Sequence, residues 1–149
     1  MCFTPDGAFT YILGELDNSV TCCRHADGVL EEFQSLSSLT EGTPHATAGG
    51  GAEIICHPSG KFVYATIRGT RAVAEDPYPH NHAFNTIAVF AVQPDGSLSL
   101  LENVDSGGNM PWVSTAAAFA SASNTSLKNW RQTMTFADSE GDFLLVQNQ

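Results

Sequence analysis

Three polar side chains stand at one fixed position of a repeated phrase, and their types could do chemistry together. Each phrase has a turn at a glycine followed by an alternating apolar strand, and the polar residue comes eight positions after that glycine. The three residues are Glu15, Arg68 and Gln149. A carboxylate can move a proton, and a guanidinium can hold an anionic group. A repeat that varies its polar residue at one place indicates several strands presenting different groups to a shared site.

The repeated phrase positions these groups through a common local structure. The three copies read PDGAFTYILGE, PSGKFVYATIR and SEGDFLLVQNQ. The first two continue into further apolar runs that are interrupted by Asp-Gly turns at Asp27-Gly28 and Asp95-Gly96. Asp-Gly between two alternating apolar runs is a strong hairpin signal, because both residues of the turn tolerate a positive φ. Each unit is therefore predicted to be an antiparallel meander, with the strand of the phrase as its first strand.

The spacing of the phrases predicts an all-β repeat fold. The first two glycines are 53 residues apart, and the second and third are 81 apart because two stretches, 70–84 and 112–129, look inserted. Four short strands every few tens of residues are typical of β-propeller blades. We expect one partial propeller domain over 1–149, with four-stranded antiparallel blades. A β-sandwich, which also uses short strands and glycine turns, is the alternative.

The size of the chain predicts an incomplete ring. A closed propeller has about four blades or more, whereas 149 residues supply about three. The sequence begins and stops within repeat phrases, so we expect a piece of a larger ring. An incomplete ring leaves blade faces and strand edges open, and open edges predict self-association.

The charge balance excludes some partners. The chain has six Lys and Arg against sixteen Asp and Glu, a net charge of −10. Nucleic acids and anionic membrane surfaces need clustered positive charge, so neither is an expected partner. A small anionic ligand would need a few well-placed cations.

The cysteines and the apolar runs bear on location. The four cysteines lack the spacing of a zinc site, and Cys22 and Cys23 are adjacent in a predicted strand, so they face opposite sides of the sheet. Reduced packing thiols are favoured over disulfides, which predicts a cytoplasmic protein. No apolar run reaches the length of a membrane span or resembles a signal peptide.

The phrases resemble the lactonase family of seven-bladed β-propellers. That family includes cycloisomerase-type 6-phosphogluconolactonases and the carboxy-cis,cis-muconate cyclases of fungi. The matching segments cover most of the chain outside the two inserted stretches; they are 3–16, 52–54, 57–69, 85–90, 107–108 and 143–149. The resemblance implies about three blades from the later part of a seven-bladed ring, in a protein more than twice this long.

The resemblance also implies a catalytic pair. The Asn-Glu-Leu motif of the family falls on Gly14-Glu15-Leu16, and its Asn-Arg-Gly motif falls on Ile67-Arg68-Gly69. Glu15 and Arg68 are thereby implied as catalytic groups, although Gly14 and Ile67 replace the Asn of each motif. A His and an Arg that the family contributes from earlier blades have no counterpart here. The structural alternative is a salt bridge between blades.

Three further residues are candidates for substrate binding. Glu53 follows the glycines at 49–51 and is predicted to open a strand near the same face, where it could contact substrate or satisfy backbone groups. Arg131 stands where the family has an Arg after a Pro, and Gln149 occupies the repeat position of Glu15. His80 and His82 lie in the first inserted stretch without a third ligand nearby, so no metal site is predicted.

These residues predict two functions. The first is hydrolysis or reversible formation of a small anionic lactone, of the 6-phosphogluconolactone or carboxymuconolactone type, without a cofactor. The second is a truncated, inert propeller piece or an interaction module, which the absence of the family's other two groups favours.

Overall fold

The computed structural model shows an all-β protein and describes residues 1–41, 48–69 and 85–106, with the backbone of two short strands further along the chain. The strands among these residues are β1 (Cys2–Phe3), β2 (Phe9–Leu13), β3 (Ser19–Ala26), β4 (Val29–Ser37), β5 (Ala48–Cys56), β6 (Phe62–Gly69), β7 (Thr86–Val92), β8 (Leu98–Asp105), β9 (Met134–Phe136) and β10 (Leu144–Val146). Across this described part, no helix is long and apolar enough to cross a membrane.

The strands form two equivalent sheets. Sheet one has the order β1-β2-β3-β4 and sheet two the order β5-β6-β7-β8, and all neighbours are antiparallel. This confirms the predicted four-stranded meander and the partial propeller. Beyond 106, the described backbone consists of β9 and β10, which pair with each other. The inserted stretches predicted at 70–84 and 112–129 lie outside the described residues.

The strand of the repeated phrase is the second strand of its sheet, and its prediction as the first strand was wrong. β2 and β6 carry the phrase, while β1 and β5 precede them in the sheet order. The first strands were hard to see because β1 has only two residues and β5 begins Ala-Gly-Gly-Gly. Glycine is depleted in strands, so such a segment lacks the alternating apolar pattern. The stretch 70–84 consequently connects the second and third strands of sheet two.

The turns that open the phrase have the same geometry in both sheets. Gly7 has φ 73° and Gly60 has φ 71°. The N–H of Gly7 donates to the carbonyl of Thr4, and that of Gly60 donates to the carbonyl of His57, each at 2.8 Å. A positive φ is readily adopted only by glycine, so the glycine of the phrase determines the direction in which each second strand starts.

The core lies between the two sheets. Side chains alternate across a strand, so one face of sheet one meets one face of sheet two. Sheet one contributes Tyr11, Val20 and Cys22, and sheet two contributes Ile54, Val63, Ala65, Ala88, Phe90 and Leu98; all are buried. All four cysteines carry free thiols, and Cys22 and Cys23 point to opposite faces as predicted.

Polar contacts fix how the sheets sit on each other. The hydroxyl of Tyr11 donates to the carbonyl of Gly96 at 3.0 Å. The Gln34 amide donates to the Leu98 carbonyl at 2.9 Å and accepts from the Leu98 N–H at 2.7 Å. Nδ2 of Asn103 donates to the carbonyl of Ser38 at 2.9 Å. Because hydrogen bonds are directional, they set one register between the sheets.

Candidate active site

A tight turn after β2 presents Glu15. The N–H of Gly14 donates to the carbonyl of Ser19 at 2.8 Å and closes the turn. The Asp17 carboxylate accepts from the N–H and the hydroxyl of Ser19 at 3.1 and 2.9 Å, and Asn18 adopts φ 55°. Asp and Asn side chains stabilise such turns by bonding the local backbone. The turn leaves the side chain of Glu15 66% exposed.

The guanidinium of Arg68 lies against this turn. Arg68 is the penultimate residue of β6, and its side chain is only 11% exposed. Nε donates to the carbonyl of Gly50 at 3.2 Å, and Nη2 donates to the carbonyl of Gly51 at 3.2 Å. Nη2 also donates to Oε1 of Glu15 at 2.6 Å. The predicted pair therefore comes together, across 53 residues of sequence and between two sheets.

Two irregularities in β5 make its carbonyls available to Arg68. From Gly69 to Ala65, β6 advances by four residues. The segment of β5 that pairs with it, from Ala48 to Ile54, advances by six, because the register shifts twice. Each shift is a β-bulge, whose extra residue leaves the ladder unpaired. The carbonyls of Gly50 and Gly51 then accept from the guanidinium. The hydroxyl of Thr66 satisfies the N–H of Glu53 at 3.0 Å.

The glycines also permit a close approach of the two sheets. A Cβ at position 50 would lie 2.3 Å from the carbonyl oxygen of Glu15, and one at 51 would lie 2.6 Å from Cγ of Leu13. The N–H of Gly51 donates to the carbonyl of Glu15 at 3.0 Å. Glu15 is thus held through its backbone and its side chain. The role of these glycines was not predicted from the sequence. Three consecutive glycines before Ala52-Glu53 were the feature that could have indicated a close approach of the backbone here.

The arrangement combines a fixed cation with an accessible carboxylate. The hydrogen bond between Arg68 and Glu15 is charge-assisted on both sides and short, as such bonds are. The two backbone carbonyls hold the guanidinium in one orientation, while the exposed carboxylate can meet a ligand or water. A base of this kind can take a proton, and a preorganised cation can stabilise a developing negative charge.

A family model supplies the decisive comparison. The model described as lactonase, 7-bladed beta-propeller, matches residues 1–113. The chain belongs to this lactonase family. Family membership agrees with the two four-stranded antiparallel sheets.

Individual relatives of this lactonase-family chain are much longer. The chain is 34% identical over 104 residues to a probable 6-phosphogluconolactonase of Arthroderma benhamiae, across 66% of this chain and 23% of that protein. A periplasmic gluconolactonase of Pseudomonas aeruginosa superposes with a TM-score of 0.68 at 23% identity, across 99% of this chain and 31% of the other. A candidate 6-phosphogluconolactonase of Bacteroides uniformis superposes with a TM-score of 0.56 at 31% identity, across 73% of this chain and 26% of the other. The chain therefore spans less than a third of each.

The remaining predicted site residues do not join the Glu15–Arg68 pair among the described contacts. Glu53 lies within β5, which begins at Ala48, so the prediction that Glu53 opens a strand was wrong. Its N–H donates to the hydroxyl of Thr66, and its carboxylate accepts from the backbone N–H of Ile54. Partial burial raises the pKa of the Glu53 carboxyl, an effect that the ammonium of Met1 partly offsets. The described hydrogen bonds do not join Glu53 to Glu15 or Arg68. Arg131, Gln149, His80 and His82 lie outside the described residues. Among described residues, no group of three or more His, Cys, Asp or Glu could hold a metal ion.

Proposed function

We propose that this chain carries part of a lactonase active site, in a protein that hydrolyses or reversibly forms a small anionic lactone. The observation that carries the proposal is the 2.6 Å contact between Glu15 and Arg68. The two residues occupy the same position of the repeat, on adjacent sheets of a lactonase-family chain. The side chain of Glu15 is 66% exposed, so its carboxylate is accessible to a ligand or water.

The chemistry follows from the different fixation of the two groups. Arg68 stabilises negative charge on the lactone carbonyl oxygen, or holds the substrate's anionic group, with a guanidinium already oriented by two backbone carbonyls. Glu15 accepts a proton from the water that attacks the carbonyl carbon. A carbon–oxygen bond forms to that water, the ring carbon–oxygen bond breaks, and the proton passes to the ring oxygen as it leaves. Reversal of these steps closes the ring.

The substrate class is an anionic lactone of the 6-phosphogluconolactone type, with the carboxymuconolactone type as the second candidate. The first choice is supported by the names of the similar proteins from Arthroderma benhamiae and Bacteroides uniformis. A phosphate or carboxylate on the lactone would be attracted by the positive charge of Arg68. The proposed steps require no cofactor.

The test is turnover by the purified chain and by a Glu15→Gln variant, with both lactones as substrates. Gln keeps the shape and the hydrogen-bond acceptor but removes the base, so kcat should fall by about 10²–10⁴-fold. Glu31→Gln, at an exposed position of β4, is the matched control and should keep the wild-type rate. Equal rates for Glu15→Gln and the wild type would refute the proposal, and no turnover of either lactone by the wild type would favour the second candidate below.

The second candidate is a truncated, inert piece or an interaction module. The observation that favours it is that Nε and Nη2 of Arg68 bind two backbone carbonyls and Glu15, as in a strut between sheets. In that case Glu15→Gln would lower the free energy of unfolding, and neither the wild type nor the variant would turn over a lactone. Urea denaturation of both variants beside the assays separates the two functions.

We also propose that the protein is located in the cytoplasm, because of its free thiols. All four cysteines are free, which supports the cytoplasm, where thiols stay reduced. Cell fractionation of a tagged protein tests this, and recovery in a secreted or organellar fraction would refute it.

A further inference from the structure

The turn after β2, which carries Glu15, is held by two separate sets of hydrogen bonds. At its start, the carbonyl of Glu15 accepts from the N–H of Gly51 on β5 at 3.0 Å, beside the bond from Arg68 to the carboxylate. At its end, the carbonyl of Asn18 accepts from the N–H and the hydroxyl of Ser38 at 2.8 and 2.7 Å. The backbone of the turn is therefore fixed at both ends.

Ser38 is itself bonded to sheet two. It follows β4, it is fully buried, and its carbonyl accepts from Nδ2 of Asn103 on β8 at 2.9 Å. The next residue, Leu39, is buried and packs against a side chain of β6. Hydrogen bonds thus run from Asn103 through Ser38 to Asn18. They reach the turn of Glu15 from the strand of sheet two that is farthest from β5 in the sheet order.

Two supports from opposite edges of sheet two restrict the rotation of the turn. A turn held only at Glu15 could pivot about its bonds to β5 and β6, and the carboxylate would then move relative to the guanidinium. The bonds at Asn18 lie three residues further along the chain and oppose such a pivot. Asn18 has φ 55° and is 1% exposed. A positive φ is uncommon outside glycine and is maintained by the surrounding structure.

The orientation of Glu15 depends on its backbone more than that of Arg68 does. Two backbone carbonyls already hold the guanidinium, whereas the side chain of Glu15 is 66% exposed and has little around it. A general base must come within about 2.6–3.2 Å of the proton that it takes. A displacement of about 1 Å can cost about a hundredfold in rate. Bonds that fix the turn therefore bear directly on the rate.

We propose that Ser38 and Asn103 are positioning residues, which orient the Glu15 carboxylate toward a lactone by fixing the backbone of its turn. They act through Asn18, and their described hydrogen bonds do not reach the carboxylate of Glu15 or the guanidinium of Arg68. Their effect on turnover rests on the proposed function, whereas their effect on the turn does not.

The first test is amide hydrogen exchange, which measures local opening without a substrate. Ser38→Ala removes the hydroxyl that bonds the Asn18 carbonyl. The Gly51 N–H, which is bonded to the Glu15 carbonyl, should then exchange about two- to tenfold faster, the effect of one hydrogen bond. The N–H of His57 is hydrogen-bonded at the other end of β5 and should exchange as in the wild type. Equal acceleration of both amides would indicate a global loss of stability and would overturn the inference.

The second test is steady-state turnover of the lactones. Ser38→Ala and Asn103→Ala should each lower kcat by about tenfold. KM should stay within about twofold, since a misplaced base affects the transition state while Arg68 still binds the substrate. Thr10→Val is the matched control, because it removes a buried hydroxyl that is bonded to His25 elsewhere on β2. It should keep the wild-type kcat and the wild-type exchange rates.

Combination with Glu15→Gln separates positioning from general damage. In that background Ser38→Ala should lower kcat no further, because no base is left to position, whereas an independent effect would multiply with the loss of the base. A further fall as large as that seen with Glu15 present overturns the inference, and so does an unchanged kcat in Ser38→Ala alone. A wild type that turns over neither lactone counts against the proposed function. The exchange rates of Gly51 and His57 then decide by themselves whether Ser38 holds the turn.

Discussion

At the scale of single residues, the candidate site combines a buried, fixed guanidinium with an accessible carboxylate. The side chain of Arg68 is 11% exposed and that of Glu15 is 66% exposed, although the two are in contact. Surface ion pairs generally contribute about 0–1 kcal/mol to stability, so the pair is expected to add little to the stability of the fold. The asymmetry suits a site in which the cation is preorganised and the acid meets the ligand.

Glu53 gives a prediction at the same scale, on pH dependence. Burial raises the pKa of Glu53, so the folded chain binds that proton more tightly than the unfolded chain does. Ionising Glu53 therefore costs folded stability as the pH rises through its raised pKa. Replacing Glu53 with Gln removes this cost. The gain in unfolding free energy of the variant over the wild type should be absent below about pH 4, grow as the pH rises above the ordinary Glu pKa of about 4.3, and stay constant above the raised pKa.

Urea denaturation of the wild type and of Glu53→Gln across this pH range measures the effect. Glu31→Gln, on the exposed face of β4, is the control and should track the wild type. A difference between Glu53→Gln and the wild type that does not change with pH would contradict the prediction.

At the scale of elements, the bulged strand β5 does most to build the site. Its two register shifts direct the carbonyls of Gly50 and Gly51 at Arg68, and its glycines let the turn of Glu15 come close. The same strand continues into the core through Ile54. One element thus links the packing between the sheets to the orientation of the guanidinium.

Replacing Gly50 with Ala tests this role of β5. The added Cβ would lie 2.3 Å from the carbonyl oxygen of Glu15, and that backbone atom must move to make room. We expect a loss of about 1–3 kcal/mol in unfolding free energy, together with a loss of any lactonase activity as Glu15 leaves Arg68. Denaturation and turnover are measured on the same preparation.

Gly28→Ala is the matched control for this variant. Gly28 has φ 81° and its Cβ would meet nothing within 4 Å. The substitution should cost about 1–2 kcal/mol through backbone conformation alone and leave turnover unchanged. If Gly50→Ala and Gly28→Ala behave alike in both measurements, the close approach at Gly50 has no special role.

At the scale of the whole molecule, the contact between sheets determines where the site lies. An apolar core and a few directed hydrogen bonds join the sheets, and the Glu15–Arg68 pair bridges them. The chain spans under a third of the related structures, so the described sheets form one sector of the family's ring. The sector nevertheless contains a complete contact between adjacent blades.

Gln34→Ala tests the inter-sheet contact. Gln34 bonds both the N–H and the carbonyl of Leu98, and its removal leaves these backbone groups unpaired between the sheets. We expect a loss of about 2–3 kcal/mol in unfolding free energy. Gln93→Ala, which removes an exposed bond to Ser99 within sheet two, should cost less than about 0.5 kcal/mol. Equal losses in the two variants would mean that Gln34 does not stabilise the contact.

Local patterns explain why so much of the fold was predictable. The alternation in Phe9–Leu13 and Phe62–Gly69 and the glycine turns before them depend on near neighbours in the chain, and both strands formed as expected. The first strand of sheet one was missed because β1 has only two residues. The strand predicted to open at Glu53 exists as β5 but begins at Ala48, because a glycine-rich start shows no alternation. The functional roles of Glu15, Arg68 and Glu53, and of the residues beyond the described part, stay predictions.

The amino-acid order by itself determined the repeat, the strand faces and the equivalence of Glu15 and Arg68, because these depend on a period of two and on turns a few residues long. The tertiary structure decided that Arg68 is buried against Gly50 and Gly51 while Glu15 stays exposed. These outcomes depend on which sheet packs against which, and groups far apart in sequence meet only through that packing.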